Sequence, residues 1–179
     1  MPTYVALLRG VNVSGKNKVA MAELRDVVTR LGFQDVTTYI QSGNVLFKGR
    51  QVREPVLVAR IQEGLREAFG LEVGVVIRTP GELRDVVSNN PFAGAEGGVA
   101  KTHVVFLESA PSPEKVALLD PARSPPDAFQ VVGREVYLSC PHGMAKTKLT
   151  IDYFERRLQT VATARNWNTV TTLLELAAG

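Results

Sequence analysis

Apolar residues recur along this chain at two spacings, and the switches between them outline the elements. Thr3 to Leu8 is a short run of strand formers closed by Arg9-Gly10. A polar loop, Gly10 to Lys18, follows. Met21, Leu24, Val27, Val28 and Leu31 then repeat at helical spacing, and Gly32 stops that helix. Val36 to Gln41 and Asn44 to Phe47 read as strands joined at Ser42-Gly43, a hairpin. Val56 to Phe69 is helical, with Pro55 at its start and Gly70 at its end, and Val73 to Ile77 is a strand.

The order β-α-β-β-α-β over the first 78 residues matches the ferredoxin-like split βαβ unit. The second half opens with a short helix, Pro80 to Val87, for which Thr79 is a cap. Asn89 to Gly98 is loop. Lys101 to Leu107 is a strand, and Ser112 to Leu119 a helix behind a serine cap. A Pro-rich loop, Pro121 to Pro126, leads to a hairpin of Phe129 to Val132 and Glu135 to Ser139 around Gly133. Leu149 to Leu158 and Thr169 to Ala178 are helices. The expected fold class is therefore α+β: a ferredoxin-like domain over 1–78, then a second α+β domain over 79–179 with a helical C-terminal tail. No short repeat and no low-complexity segment is visible.

Length and composition agree with this picture. The 179 residues are 45% hydrophobic and 22% charged, an ordinary globular balance with enough chain for a real core. The single cysteine, Cys140, cannot form an internal disulfide, which favours a reducing compartment. No signal peptide is apparent at the N-terminus, and no segment approaches the roughly 18–20 apolar residues of a membrane span. The expectation is a cytoplasmic protein with no membrane association, no cofactor and no metal.

Net charge is only +3, but its distribution is uneven. No Asp or Glu occurs in Met1–Ala22, Val36–Arg53, Val136–Ile151 or Arg156–Leu174, and each of these stretches carries basic residues. Thr79 to Glu135 leans acidic. Such asymmetry points to an anionic partner, whereas any one basic side chain taken alone reads as solvated surface.

Four polar segments carry the candidate chemistry. The first holds Arg9, Asn12, Ser14, Lys16, Asn17 and Lys18. Gly10 through Lys16 fits the G-x-x-x-x-G-K part of a phosphate-binding P-loop. The match then fails, because Asn17 has no hydroxyl for a magnesium ion and the helix starts near Ala20 rather than at the lysine. A P-loop NTPase is excluded; a looser anion loop and a plain connecting loop of turn formers both remain. The second segment is Tyr39-Ile40-Gln41-Ser42-Gly43-Asn44, where Gln41, Ser42 and Asn44 are either turn chemistry or ligand groups close to the first loop. In the third, Lys146 and Lys148 flank Thr147 before a helix, suited to an anion at a helix N-terminus or to a solvated loop. The fourth holds Arg165, Asn166, Trp167 and Asn168. Trp167 is a core anchor or a base-stacking surface, Arg165 a phosphate contact, and Asn168 or Thr169 the cap of the last helix.

Other constellations are missing. Cys140 lacks a catalytic partner and reads as a buried structural thiol. His103 sits in an apolar strand as a packed side chain. Two histidines and one cysteine give no metal-ligand spacing.

Taken together, Leu7-Leu8-Arg9-Gly10-Val11-Asn12-Val13 with Gly15-Lys16-Asn17, Tyr39-Ile40-Gln41-Ser42-Gly43-Asn44-Val45, Thr147-Lys148-Leu149-Thr150 and Ala164-Arg165-Asn166-Trp167-Asn168-Thr169-Val170 resemble the bacterial family called domain of unknown function 1697. The resemblance implies ferredoxin-like α+β halves and no assigned activity.

Three functions follow as expectations. The first is a binding module for a phosphate-bearing ligand, a nucleic acid or a nucleotide, held in a basic cleft between the halves. Tyr4 and Phe47 lie on the strands where RNA-binding sheets of this topology expose aromatics, although no RNP consensus is present. The second is an enzyme acting on phosphoryl or acyl-phosphate groups, with Arg9, Asn44 and the Gly10–Lys18 loop in the roles an acylphosphatase assigns to its first loop, arginine and asparagine. The third is a protein-interaction module in which the polar motifs only join the halves.

Overall fold

The computed structural model describes residues 1–94 and 98–179, so Ala95 to Gly97, within the loop expected over Asn89 to Gly98, lie outside the described residues. The chain divides into two compact units, Met1–Leu83 with Leu173–Gly179, and Arg84–Thr172.

The first unit runs β1 (Thr3–Leu8), α1 (Met21–Arg30), β2 (Gln34–Tyr39), β3 (Asn44–Lys48), α2 (Glu54–Phe69) and β4 (Val75–Arg78), before α3 (Pro80–Ser88) begins. Its sheet is antiparallel with strand order β2-β3-β1-β4. This is the ferredoxin-like arrangement expected from the sequence. Alternation along the strands sends Tyr4, Ala6, Leu8, Val45, Phe47, Val75 and Ile77 into one core with Leu24 and Val28 of α1 and Leu57, Ile61 and Leu65 of α2. Full burial of each such leucine or phenylalanine contributes about 1.5–3 kcal/mol. Tyr4 and Phe47 stack here, ring centroids 5.7 Å apart, and Phe33 packs on Phe47 at 4.6 Å. The two aromatics are therefore core side chains, and this sheet does not expose them for base stacking.

The second unit runs β5 (Thr102–Leu107), α4 (Pro113–Val116), β6 (Ala128–Val132), β7 (Glu135–Ser139), α5 (Ile151–Leu158) and β8 (Ala162–Asn166), before α6 (Trp167–Ala178) begins. Its sheet order is β6-β7-β5-β8, again all antiparallel. This is the topology of the first unit over again. The register agrees as well: Val5 faces Leu46 and Arg78 as Val104 faces Tyr137 and Arg165. The second core gathers Val105, Leu107, Val136, Leu138, Phe154 and Leu158.

Three local expectations are corrected. The Ser112 to Leu119 helix is the single turn α4, with Ser112 Oγ accepting from the Lys115 amide at 3.3 Å. The tail is not purely helical, because β8 lies between α5 and α6. Only Ala162 and Ala164 of β8 face the helix-side core, too small an apolar signal to stand out. The last helix is capped neither by Asn168 nor by Thr169: Asn166 Oδ1 accepts from the Thr169 amide at 2.8 Å, and α6 starts at Trp167. Thr79 does cap α3, as half of a reciprocal box. Thr79 Oγ1 accepts from the Glu82 amide at 3.2 Å, and Glu82 Oε1 accepts from the Thr79 amide at 3.0 Å.

Candidate functional site

The first polar segment leaves β1 under tight control. The Leu8 amide donates to Gly43 O at 2.9 Å and the Arg9 amide to Gly74 O at 2.8 Å. The chain then closes a small hairpin of its own, with Asn12 N donating to Asn17 O at 3.1 Å and Lys16 N to Val13 O at 2.9 Å. The turn needs left-handed backbone at Gly10, Asn12, Ser14, Gly15 and Asn17, with φ between 49° and 73°. Glycine adopts this at no steric cost and asparagine at little, which explains the composition of the loop.

Asn12 is the keystone. Its Nδ2 donates to Val19 O at 2.9 Å and to Gln41 O at 2.7 Å, while its Oδ1 accepts from the Val19 amide at 2.8 Å. Both amide hydrogens and one acceptor site are thereby engaged in tying the loop to the start of α1 and to the β2–β3 turn. Asn17 Nδ2 closes the loop on Gly10 O at 3.1 Å. Two predicted ligand groups are thus the scaffold of the loop. Ser14, Lys16 and Lys18 stand exposed on it.

The second segment is built the same way. Asn44 is fully buried, and its Nδ2 donates to Tyr39 O at 3.0 Å and to Ser42 Oγ at 2.9 Å. Gly43, at φ 84°, sits so close to the end of β1 and the first loop that an added Cβ would lie 2.9 Å from Leu8 Cβ and 2.6 Å from Val11 Cγ2. Ile40 carries φ 50°, a conformation that β-branched residues rarely accept and that concentrates at functional sites. Gln41 is exposed and Ser42 half-buried.

A groove of about 590 Å³ opens beside these two segments, lined by Asn12, Gly15, Lys18, Val19, Ala20, Glu23 and Gln41. It reaches the N-terminus of α1, whose cap position is Ala20, a side chain with no acceptor for the first-turn amides. Lys18 and the positive end of the helix dipole favour an anion there, and Glu23 opposes one.

The remaining predicted residues lie in the second unit. Lys146 and Lys148 are exposed in the segment between β7 and α5. Buried Ser124 fixes that segment, its Oγ accepting from the Lys148 amide at 3.0 Å and donating to Asp127 Oδ2 at 3.0 Å. Thr150 caps α5, its Oγ1 accepting from the Tyr153 amide at 3.2 Å. Arg165, Asn166, Trp167 and Asn168 form the β8–α6 junction. The ends of β7 and β8 both flank the start of β5, so the third and fourth segments follow strands that finish at the same end of that sheet.

Arg165 is buried, and its Nη1 donates to Thr163 Oγ1 and to Ala164 O, both at 2.8 Å. Burial pulls its pKa down to about 10, so it is still a cation at neutral pH. Trp167 is buried too. Burial raises the Cys140 thiol pKa, with the Asp127 charge adding to the shift, in keeping with a structural cysteine. Among the described residues no group of three or more His, Cys, Asp or Glu side chains is placed to hold a metal ion. No described helix is long and apolar enough to cross a membrane.

Sequence reasoning passed over Arg78. It ends β4, is fully buried, and donates Nη1 to Ile77 O at 2.9 Å. Its signal was present: a basic residue closing the apolar run Val75-Val76-Ile77, then a cap and a helix, as in Ala164-Arg165-Asn166.

With two tandem ferredoxin-like units and a strained polar loop in place, the class of the protein is defined. Residues 1–137 match the family described as protein of unknown function (DUF1697), and the chain belongs to that family. The third and fourth motifs lie beyond the matched residues. Among solved structures, the chain is similar to a conserved bacterial protein, SP0830, from Streptococcus pneumoniae. The two share 23% identity and a TM-score of 0.78 over 100% of this chain and 99% of the other, a likeness of fold. No curated protein matches the chain.

Proposed function

We propose that the chain binds a phosphate-bearing ligand, a nucleotide or a nucleic acid, at the Gly10–Lys18 loop of its first unit. The observation that carries this reading is a division of labour within one loop. Asn12 and Asn17 hold a left-handed, strained backbone in place, and Ser14, Lys16 and Lys18 are presented to solvent on it. A rigid loop of exposed hydroxyl and ammonium groups beside a helix N-terminus suits phosphate oxygens. A reducing, cytoplasmic setting fits the lone buried thiol of Cys140. Titration calorimetry with a nucleoside triphosphate and with a single-stranded oligonucleotide tests the proposal. Saturable binding that weakens at least tenfold in Lys16→Ala supports it, and no heat with either ligand rejects it.

An acyl-phosphate reaction is less well supported, because the Asn44 amide hydrogens are already engaged inside the turn. A protein-contact reading draws on a different observation: Val13 and Ile40, exposed at 55% and 51%, lie on the same two segments. Loss of a copurifying protein in Val13→Ser/Ile40→Ser, with nucleotide binding absent in the wild type, would favour that reading instead.

A further inference from the structure

Arg123, Arg156 and Arg157 converge on one groove of the second unit, remote in sequence from the Gly10–Lys18 loop. The groove has a volume of about 250 Å³ and is completed by Thr150, Asp152 and Tyr153. Tyr153, which lines it, is a buried side chain fixed at both ends. The Tyr153 amide donates to Thr150 Oγ1 at 3.2 Å, and the Tyr153 hydroxyl accepts from the Asp120 amide at 2.8 Å. The Arg123 guanidinium lies 4.0 Å from the ring centroid and that of Arg157 lies 5.7 Å from it. Arg123 is held a second time, its Nε donating to Lys148 O at 2.8 Å.

The consequence is a preorganised cation. Stacking and the Nε bond fix the Arg123 plane and leave its terminal Nη groups as the edge that can meet a ligand. Arg156 and Arg157 stand exposed on α5. Three arginines and one carboxylate, Asp152, line the groove, whose volume has room for a phosphate with a small substituent. Guanidinium forks match the oxygens of a phosphate, and charge-assisted bonds of this kind are about twice as strong as neutral ones.

We infer that this groove is a binding site for inorganic phosphate or for the phosphate group of a small monoester. It is not a nucleic-acid track. The aromatic face that a base would need is covered by Arg123, and the volume admits a phosphate with a small substituent but not a strand. The inference is independent of the Gly10–Lys18 loop, since it uses none of that loop's residues.

The test is calorimetric titration of the full chain, at constant ionic strength, with inorganic phosphate, glycerol phosphate and an oligonucleotide, and with chloride as control. Lys16→Ala/Lys18→Ala serves as the background, so that the loop site is silent. Inorganic phosphate, glycerol phosphate or both are expected to bind saturably. Inorganic phosphate alone would place the free anion in the groove, and tighter glycerol phosphate would place a monoester there. Arg156→Gln is expected to weaken binding at least tenfold without moving Tm, because Arg156 is exposed. Arg157→Gln is the second variant should the first fold poorly. Binding equal in the Lys16→Ala/Lys18→Ala background and in that background carrying either arginine substitution would overturn the site, as would no saturable binding by either phosphate. Preference for the oligonucleotide over both small phosphates would overturn the assigned ligand class.

Discussion

Arg78 and Arg165 occupy the same register position in the two sheets. Arg78 faces Val5 across β1 and β4, Arg165 faces Val104 across β5 and β8, and each donates Nη1 to the carbonyl of the residue before it. Two buried arginines at equivalent places in a repeated topology are part of how each unit is built. Replacing either by alanine removes a large buried side chain and orphans its acceptors. Each substitution is expected to cost roughly 2–5 kcal/mol, read as a lowered urea midpoint. A cost below about 0.5 kcal/mol, the range of an ordinary surface change, would remove this role.

Thr163→Val isolates one bond in that arrangement. It keeps the shape of the side chain and deletes the oxygen that accepts from Arg165 at 2.8 Å. A loss of about 1–3 kcal/mol is expected from leaving a buried charged donor short of a partner. Equal stability of Thr163→Val and wild type would show that Arg165 does not depend on this oxygen.

The sequence made six elements of the first unit legible because each had its own periodicity and its own stop: Gly32 after α1, Gly70 after α2, and Ser42-Gly43 between β2 and β3. It concealed the repeat. The two units share topology and register, but Leu46 corresponds to Tyr137 and Val76 to Thr163, so little beyond the strand-ending Arg78 and Arg165 marks the equivalence in the sequence. β8 was hidden for a related reason, since Ala162 and Ala164 bury little area. In the candidate site the motif was visible and its internal logic was not. Asn12, Asn17 and Asn44 could be read as ligand groups or as turn chemistry, and only three-dimensional bonding shows their side chains tied into the loops.

Asn12→Ala should therefore loosen the loop. Three side-chain bonds disappear, and a cost of roughly 1–3 kcal/mol is expected, with faster tryptic cleavage after Lys16 and Lys18. Asn12→Asp keeps the acceptor for the Val19 amide and should fall between the two. Cleavage as slow in Asn12→Ala as in wild type would contradict the keystone role.

His103 supplies a pH dependence. Desolvation by partial burial lowers its pKa from the ordinary 6.5, and its Nδ1 is buried without a hydrogen-bond partner among the described residues. The unfolded chain then takes up the proton first as pH falls. The stability associated with neutral His103 is complete above pH 6.5 and is lost progressively below it. Melting temperature should fall as pH drops below 6.5, and His103→Gln should flatten that fall. An unchanged slope in the variant would remove His103 as its source.

The proposed ligand is tested most directly by the salt dependence of oligonucleotide binding in wild type and in Lys16→Ala/Lys18→Ala. Two phosphate contacts from these lysines predict affinity that falls log-linearly with salt, and a slope shallower in the double variant by roughly 0.7–0.9 per lysine. Binding with no salt dependence, or with the same slope and affinity in both proteins, would contradict a phosphate-binding role for the loop.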